Sequence, residues 1–108
     1  MSSAEVLVFQ AGGRRLAVPV ASLIAVAPTD GVTPLPLTGP EVLGLMLHAG
    51  TLLPLLDPLR LTGLGALKKV PALAVVVDGG GEAVGLGCQR VEGTAPGHLG
   101  DPLPEGVG

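Results

Sequence analysis

Few residues in this sequence have the types and spacing that catalysis or metal binding requires. Asp57 precedes a proline, where a carboxylate can serve as an acid or a metal ligand, but this is also the position of a helix N-cap. His48 and His98 belong to no recognisable set of metal ligands and are interpreted as a turn and a tail residue. Cys88 falls in an apolar strand pattern without a Cys/His arrangement. The sequence therefore predicts no catalytic residue, no metal site and no cofactor.

Two further polar segments also have structural interpretations. Residues 78–81, Asp-Gly-Gly-Gly, resemble a phosphate-binding loop only in their glycines, because neither a lysine nor a helix follows them. We interpret this segment as a turn between two strands. Arg14 and Arg15 come just after a predicted hairpin turn, where charges commonly protect a strand edge. The alternative that one of these arginines meets an acidic partner stays open.

Composition excludes several classes of function. The 108 residues suit one domain, and a net charge of -3 with six Lys and Arg and a single aromatic residue argues against nucleic-acid binding. Polar residues, glycine and proline interrupt the longest apolar run too soon for a membrane span, so we expect no membrane insertion. One cysteine and no recognisable signal peptide predict a cytoplasmic protein.

Residues 42–61 are the centre of the predicted fold. Apolar runs at 42–47 and 51–56 flank His48-Ala49-Gly50, which predicts two strands around a short turn. Both faces of the first run are apolar, so we expect this strand in the middle of a core. Pro54 cannot donate a ladder hydrogen bond and is expected at a bulge or an edge.

The rest of the chain is punctuated by 18 Gly and 11 Pro, which favours short strands and turns over long helices. A short helix is predicted to begin after Asp57, and residues 62–69 are interpreted as a linker. Residues 96–108 form a Pro/Gly-rich tail in which no element is predicted. The predicted strands cover residues 5–10, 14–20, 24–27, 42–47, 51–56, 72–77, 82–88 and 89–94.

The chain matches itself at an offset of 68 residues without a gap. Residues 12–13, Gly-Gly, fall on residues 80–81, and residues 34–36, Pro-Leu-Pro, fall on residues 102–104. Such a match predicts a duplication with copies at about 5–63 and 73–108. The counterpart of the central hairpin falls at about residues 110–125, so we expect the second copy to be truncated.

Four segments, in this order, make the chain resemble a CheW-like domain over residues 5–104. They are FQAGGRRLAVPVASLIAV, TPLP, GLMLHAGTLLPLLD and VVVDGGGEAVGLGCQRVEG. The resemblance implies an all-β fold of two small five-stranded SH3-like barrels whose strands interlock, without a catalytic site. Because the C-terminal hairpin is missing, one barrel is expected to be incomplete.

The resemblance also implies a function. CheW-like domains are non-enzymatic adaptors that couple chemoreceptors to a CheA-type histidine kinase in chemotaxis or surface-motility signalling. They pair with the regulatory domain of the kinase and grip the cytoplasmic tip of the receptor between the barrels. Carried over by position, these contacts fall on Leu23, Leu52, Leu73, Val91 and Thr94, each of which is alternatively an ordinary core residue.

The sequence departs from the family at the turn of the central hairpin. The family pattern Gly-x-x-Asn-Leu-Arg-Gly keeps its glycines here as Gly44 and Gly50, whereas Leu47 and Ala49 replace the asparagine and the arginine. An alanine cannot make the charge-assisted hydrogen bonds of an arginine. The alternative hypothesis is therefore a self-associating or degenerate module that has lost receptor coupling and forms a homodimer through an open sheet edge.

Overall fold

A computed structural model describes residues 4–34 and 38–97 of the chain. These residues form eight strands, one 3-10 turn at Val20–Ser22 and one short helix, α1 (Pro58–Thr62). The predicted all-β fold is confirmed. The strands are β1 (Ala4–Ala11), β2 (Arg14–Pro19), β3 (Leu23–Pro28), β4 (Val42–His48), β5 (Thr51–Leu56), β6 (Leu73–Asp78), β7 (Ala83–Cys88) and β8 (Arg90–Gly97).

The strands form two interlocked sheets. One has the order β2-β1-β8, and the other has the order β3-β6-β7-β5-β4. The third strand of the N-terminal segment, β3, joins the sheet of the C-terminal hairpin, while β8 returns to pair with β1. Each half of the chain thus gives one strand to the sheet of the other half.

The strand registers repeat at the offset of 68 residues. Leu7 pairs with Val18 in the first hairpin, and Val75 pairs with Leu86 in the second; 7 + 68 is 75 and 18 + 68 is 86. The exchanged strands follow the same rule. Each β3–β6 pair has its counterpart in a β8–β1 pair, and both pairings contain a register shift at the equivalent place.

Two apolar clusters form the core. The first lies between the sheets and combines residues of β1, β2, α1, β6 and β7, and the second lies on the opposite face of the five-stranded sheet, beneath the β4–β5 hairpin. The buried residues of the first are Leu7, Phe9, Ala11, Leu16, Leu59, Val75, Val77 and Cys88. Those of the second are Ala27, Met46, Leu53, Leu55, Ala74 and Val76.

The central hairpin lies at the edge of its sheet, so the prediction of a mid-core strand was wrong. β4 is the last strand of the five, and only one of its faces is buried: Met46 is fully buried, whereas Leu47 is exposed. Alternation along one strand describes its faces but does not reveal how many neighbours the strand has. Both faces of β4 are apolar, yet one of them faces outward.

Pro54 occupies a position that needs no backbone donor, in line with its predicted edge or bulge placement. It lies opposite Leu45, whose N–H and C=O both bond Thr33 on the other side, at 2.8 and 3.0 Å. Leu45 and Pro54 are therefore a non-hydrogen-bonded pair. On its other side β5 pairs with β7 only at Leu55 and Leu56.

The last described strand is longer than predicted. β8 reaches Gly97, whereas the strand pattern was expected to end at Thr94 and Pro96 was assigned to the tail. Within the described sheet β8 pairs only with β1, and an edge strand tolerates a proline that a central strand does not. His98 and the remaining predicted tail lie outside the described residues, as do residues 35–37.

Candidate partner-binding surfaces

Three of the predicted contact residues lie together at the tip of the β4–β5 hairpin. Leu47 and Leu52 are directly opposite each other, and their exposed fractions are 59% and 63%. Opposite residues share one face of a sheet, and residues two apart along a strand do so too. Leu45 and Pro54, the next pair, therefore continue the same outward side. We call Leu45, Leu47, Leu52 and Pro54 the hairpin face.

The turn that joins these strands has a positive φ at both of its central residues. Ala49 has a φ of 50° and Gly50 a φ of 79°, as a two-residue type I′ turn requires. Ala49 is exposed. Its methyl group offers neither charge nor hydrogen bond, so recognition of this tip depends on the apolar leucines beside it.

The other four predicted residues belong to the strands around the first core cluster. Leu23, Leu73 and Val91 are half-buried and pack against that cluster. Thr94 is exposed and lies opposite Leu7 in β1. The structure therefore divides the seven residues into a hairpin group of three and a core-flanking group of four.

Leu23 and Val91 hold equivalent positions in the two halves of the chain. Leu23 pairs with Val77, and Val91 pairs with Phe9, 68 residues away from the first pair in each member. Both of these partners are buried in the first core cluster. The two residues thus flank the same core from the two exchanged strands.

Sequence reasoning missed two exposed apolar residues on β3. Ile24 is 52% exposed and Val26 is 43% exposed. Val26 lies opposite Val75, a residue of the first core cluster, so it shares the face of that cluster. The offset of 68 could have identified it, because Val26 corresponds to Thr94, which was predicted as a contact.

A polar cluster crosses the three-stranded sheet. Glu92 accepts hydrogen bonds from Gln10 and Arg15, the latter at 3.0 Å, and its carboxylate lies 3.8 Å from Arg90. The hydrogen bond from Gln10, followed by those from Arg15 and by the charges of Arg15 and Arg90, lowers the pKa of Glu92. Arg15 therefore meets an acidic partner within its own chain.

The residues considered for chemistry have structural roles. Burial raises the pKa of Cys88 to about 11, so its thiol is protonated at neutral pH and is a poor nucleophile. Asp57 is the N-cap of α1 and accepts hydrogen bonds from Leu59 and Arg60. No group of three His, Cys, Asp or Glu that could hold a metal ion occurs in residues 4–34 and 38–97.

The comparison with protein families matches this chain over most of its length. The CheW-like domain family matches residues 5–98. The chain belongs to this family. Membership places it among chemotaxis scaffold proteins.

A solved structure supports the fold independently. The chain is similar to the scaffolding protein TtCheW from Thermoanaerobacter tengcongensis, with a TM-score of 0.76 and 20% sequence identity. The match covers 94% of this chain and 72% of that one. The search of curated proteins found no match. Within the described residues, no helix has the length and apolar character to cross a membrane.

Proposed function

We propose that this chain is a cytoplasmic, non-enzymatic adaptor that couples chemoreceptors to a CheA-type histidine kinase. Family membership and the two interlocked sheets support this assignment. The observation that carries it is the exposed Leu47–Leu52 pair at the edge of the five-stranded sheet. Burying two such leucines favours a protein partner, since apolar area removed from water is the main driving force of association.

The two residue groups suit two partners. The hairpin face is an outward apolar surface on an edge hairpin, which fits docking against a similarly folded regulatory domain. The core-flanking group, with Thr94 exposed and Leu23, Leu73 and Val91 half-buried, fits the side of a receptor tip. Both assignments extend what the family implies to residues of this chain.

Titration calorimetry with the kinase regulatory domain and with a receptor cytoplasmic fragment tests this proposal. Leu52→Asp should weaken kinase binding by about tenfold or more, because it places a charge at the centre of an apolar contact. Thr94→Arg should instead weaken receptor binding. Leu61→Asp is the matched control, since Leu61 is 50% exposed and belongs to neither group. No binding of the wild-type chain to either partner at high micromolar concentration would refute the proposal.

The departures at the turn can be tested in the same assay. Restoring asparagine and arginine by Leu47→Asn and Ala49→Arg should strengthen binding to one partner if the turn is a contact surface. The arginine would add charge-assisted hydrogen bonds that alanine cannot make. Unchanged affinity for both partners would exclude the turn as a contact surface.

The alternative of self-association rests on the three-stranded sheet. Within the described residues, β2 and β8 each pair only with β1, so each has an edge without a strand partner. An apolar cavity of about 120 Å³ adjoins β2, lined by residues that include Leu16, Ala17 and Val18. Light scattering across a concentration series tests this alternative: a stable dimer favours it, and a folded monomer at all concentrations excludes it.

A further inference from the structure

A groove with two lysines runs beside the segment that connects α1 to β6. A cavity of about 310 Å³ is lined by residues that include Gly12, Lys68 and Gln89. A second cavity, of about 630 Å³, is lined by residues that include Thr29, Val70 and Pro71. Lys69 and Gln89 line both cavities, which therefore adjoin. We call the two together the lysine groove.

The groove wall is held in place from both ends. On one side of the two lysines, Leu67 donates its N–H to the buried Asp57 carboxylate at 2.8 Å. On the other side, the Pro71 carbonyl accepts a hydrogen bond from the Thr29 hydroxyl. The Thr29 N–H then bonds the Ala72 carbonyl at 3.0 Å. Residues 68–70 are thus a short span between two fixed points, and their backbone is preorganised for binding.

The charge of the groove contrasts with that of the whole chain. The chain has a net charge of -3, yet no acidic residue lines either cavity. Asp30 lies between two lining residues but does not itself line the groove. Among the six cationic side chains, Arg15, Arg60 and Arg90 form ion pairs, whereas Arg14, Lys68 and Lys69 form none with described residues.

The groove also offers apolar and hydrogen-bonding surface. Val70 is 42% exposed on its wall, beside Val32 and Pro71. Gln89 uses its side-chain oxygen to accept the Gly12 N–H at 2.7 Å, which leaves its amide N–H groups to donate. Positive charge, donors and apolar side chains in an open channel together complement carboxylates separated by small apolar residues.

We propose that the lysine groove binds an extended acidic segment of a partner polypeptide. Carboxylates of that segment pair with Lys68 and Lys69, and its small apolar side chains lie against Val70. This site contains none of the residues assigned above to kinase or receptor binding, so it goes beyond the proposed adaptor function.

Fluorescence anisotropy with a labelled peptide of alternating glutamate and alanine, twelve residues in all, tests the site on the full chain. The matched peptide has glutamine in place of glutamate. We expect the glutamate peptide to bind at least about fivefold more tightly, with an affinity that falls as salt is added. Equal affinities for the two peptides, or no binding of the glutamate peptide, would overturn the proposal.

Two charge reversals locate the binding. Lys69→Glu should weaken the glutamate peptide at least about fivefold, whereas Arg14→Glu, which changes the net charge equally and lies outside the lining, should leave affinity within about twofold. Equal weakening by both would show general attraction to a cationic surface and would refute the groove. Lys69→Gln gives the same comparison without charge reversal, and circular dichroism verifies that each variant is folded. Loss of kinase binding in these variants is not expected, so this test is separate from that of the adaptor.

Discussion

Asp57 connects helix α1 to the segment that follows it, because its carboxylate accepts three backbone hydrogen bonds. Leu59 and Arg60 donate to Oδ1 at 2.9 and 3.3 Å, and Leu67 donates to Oδ2 at 2.8 Å. Asp57 is 1% exposed, so water cannot replace these bonds. The same carboxylate that begins the helix therefore also fixes one end of the lysine groove.

Removing this carboxylate should destabilise the fold. Asp57→Ala leaves three backbone donors without their acceptor, and we expect the free energy of unfolding to fall by about 2 to 4 kcal/mol in urea titrations. Asp78→Ala is the control, because Asp78 accepts similar bonds from Gly80 and Gly81 in an exposed turn. A loss for Asp57→Ala no larger than that for Asp78→Ala would contradict this role.

Glu92 should make stability depend on pH in the acidic range. Its pKa is lowered from the ordinary value of 4.5 in the folded chain, so below 4.5 the unfolded chain binds more protons than the folded one. The stabilisation is complete above that value and is lost as pH falls through the lowered pKa. Urea midpoints measured between about pH 3 and 6 should fall more steeply for wild type than for Glu92→Gln. Identical slopes would show that the Glu92 cluster does not contribute.

Residue-level predictions from sequence succeeded where the signal is local. The N-cap role of Asp57 follows from the proline beside it, and burial of Cys88 follows from its apolar strand. The bond from Leu67 to Asp57 spans ten residues, and no pattern of neighbouring residues indicates it. The partner of Arg15 was similarly hidden, since Glu92 is 77 residues away.

The β4–β5 hairpin presents a strained turn as well as an apolar face. Ala49 adopts a φ of 50°, a region that costs a residue with a Cβ about 1 kcal/mol relative to glycine or asparagine. Ala49→Asn should therefore raise the free energy of unfolding by a few tenths to about 1 kcal/mol in urea titrations. Thr51→Asn, at the adjacent strand residue, is the control and should not stabilise. A destabilised Ala49→Asn variant would contradict this account of the turn.

The position of an element within a sheet was harder to predict than its existence. The central hairpin lies where its apolar runs and short turn predict it, but the sequence placed β4 in mid-core although it is an edge strand. Pairing order depends on residues far apart in the chain, such as Leu55 with Gly85. The same limit explains the missed end of β8, whose pairing with β1 extends through Pro96.

The two halves of the molecule are related by more than similar strands. Their hairpins have the same register, their third strands are exchanged, and the register shift recurs at the equivalent place. We propose that residues 5–63 and 73–108 descend from one duplicated unit within a domain of residues 5–104. The offset of 68, found in the sequence alone, predicts each of these pairings.

The equivalence also shows how the two halves differ. Glu92, with its ion pairs to Arg15 and Arg90, corresponds to the exposed Ile24 in the other half. One sheet therefore carries a charged cluster where the other presents an apolar side chain. Divergence of this kind gives the two halves different surfaces, as an adaptor with two different partners requires.

Coupling is the central claim, and reconstitution measures it most directly. A receptor cytoplasmic fragment is immobilised, and retention of the CheA-type kinase is measured with and without this chain. We predict that the kinase is retained above background only when the chain is present, and that Leu52→Asp lowers this retention while Leu61→Asp does not. Equal retention of the kinase with and without the chain would contradict the assignment as an adaptor.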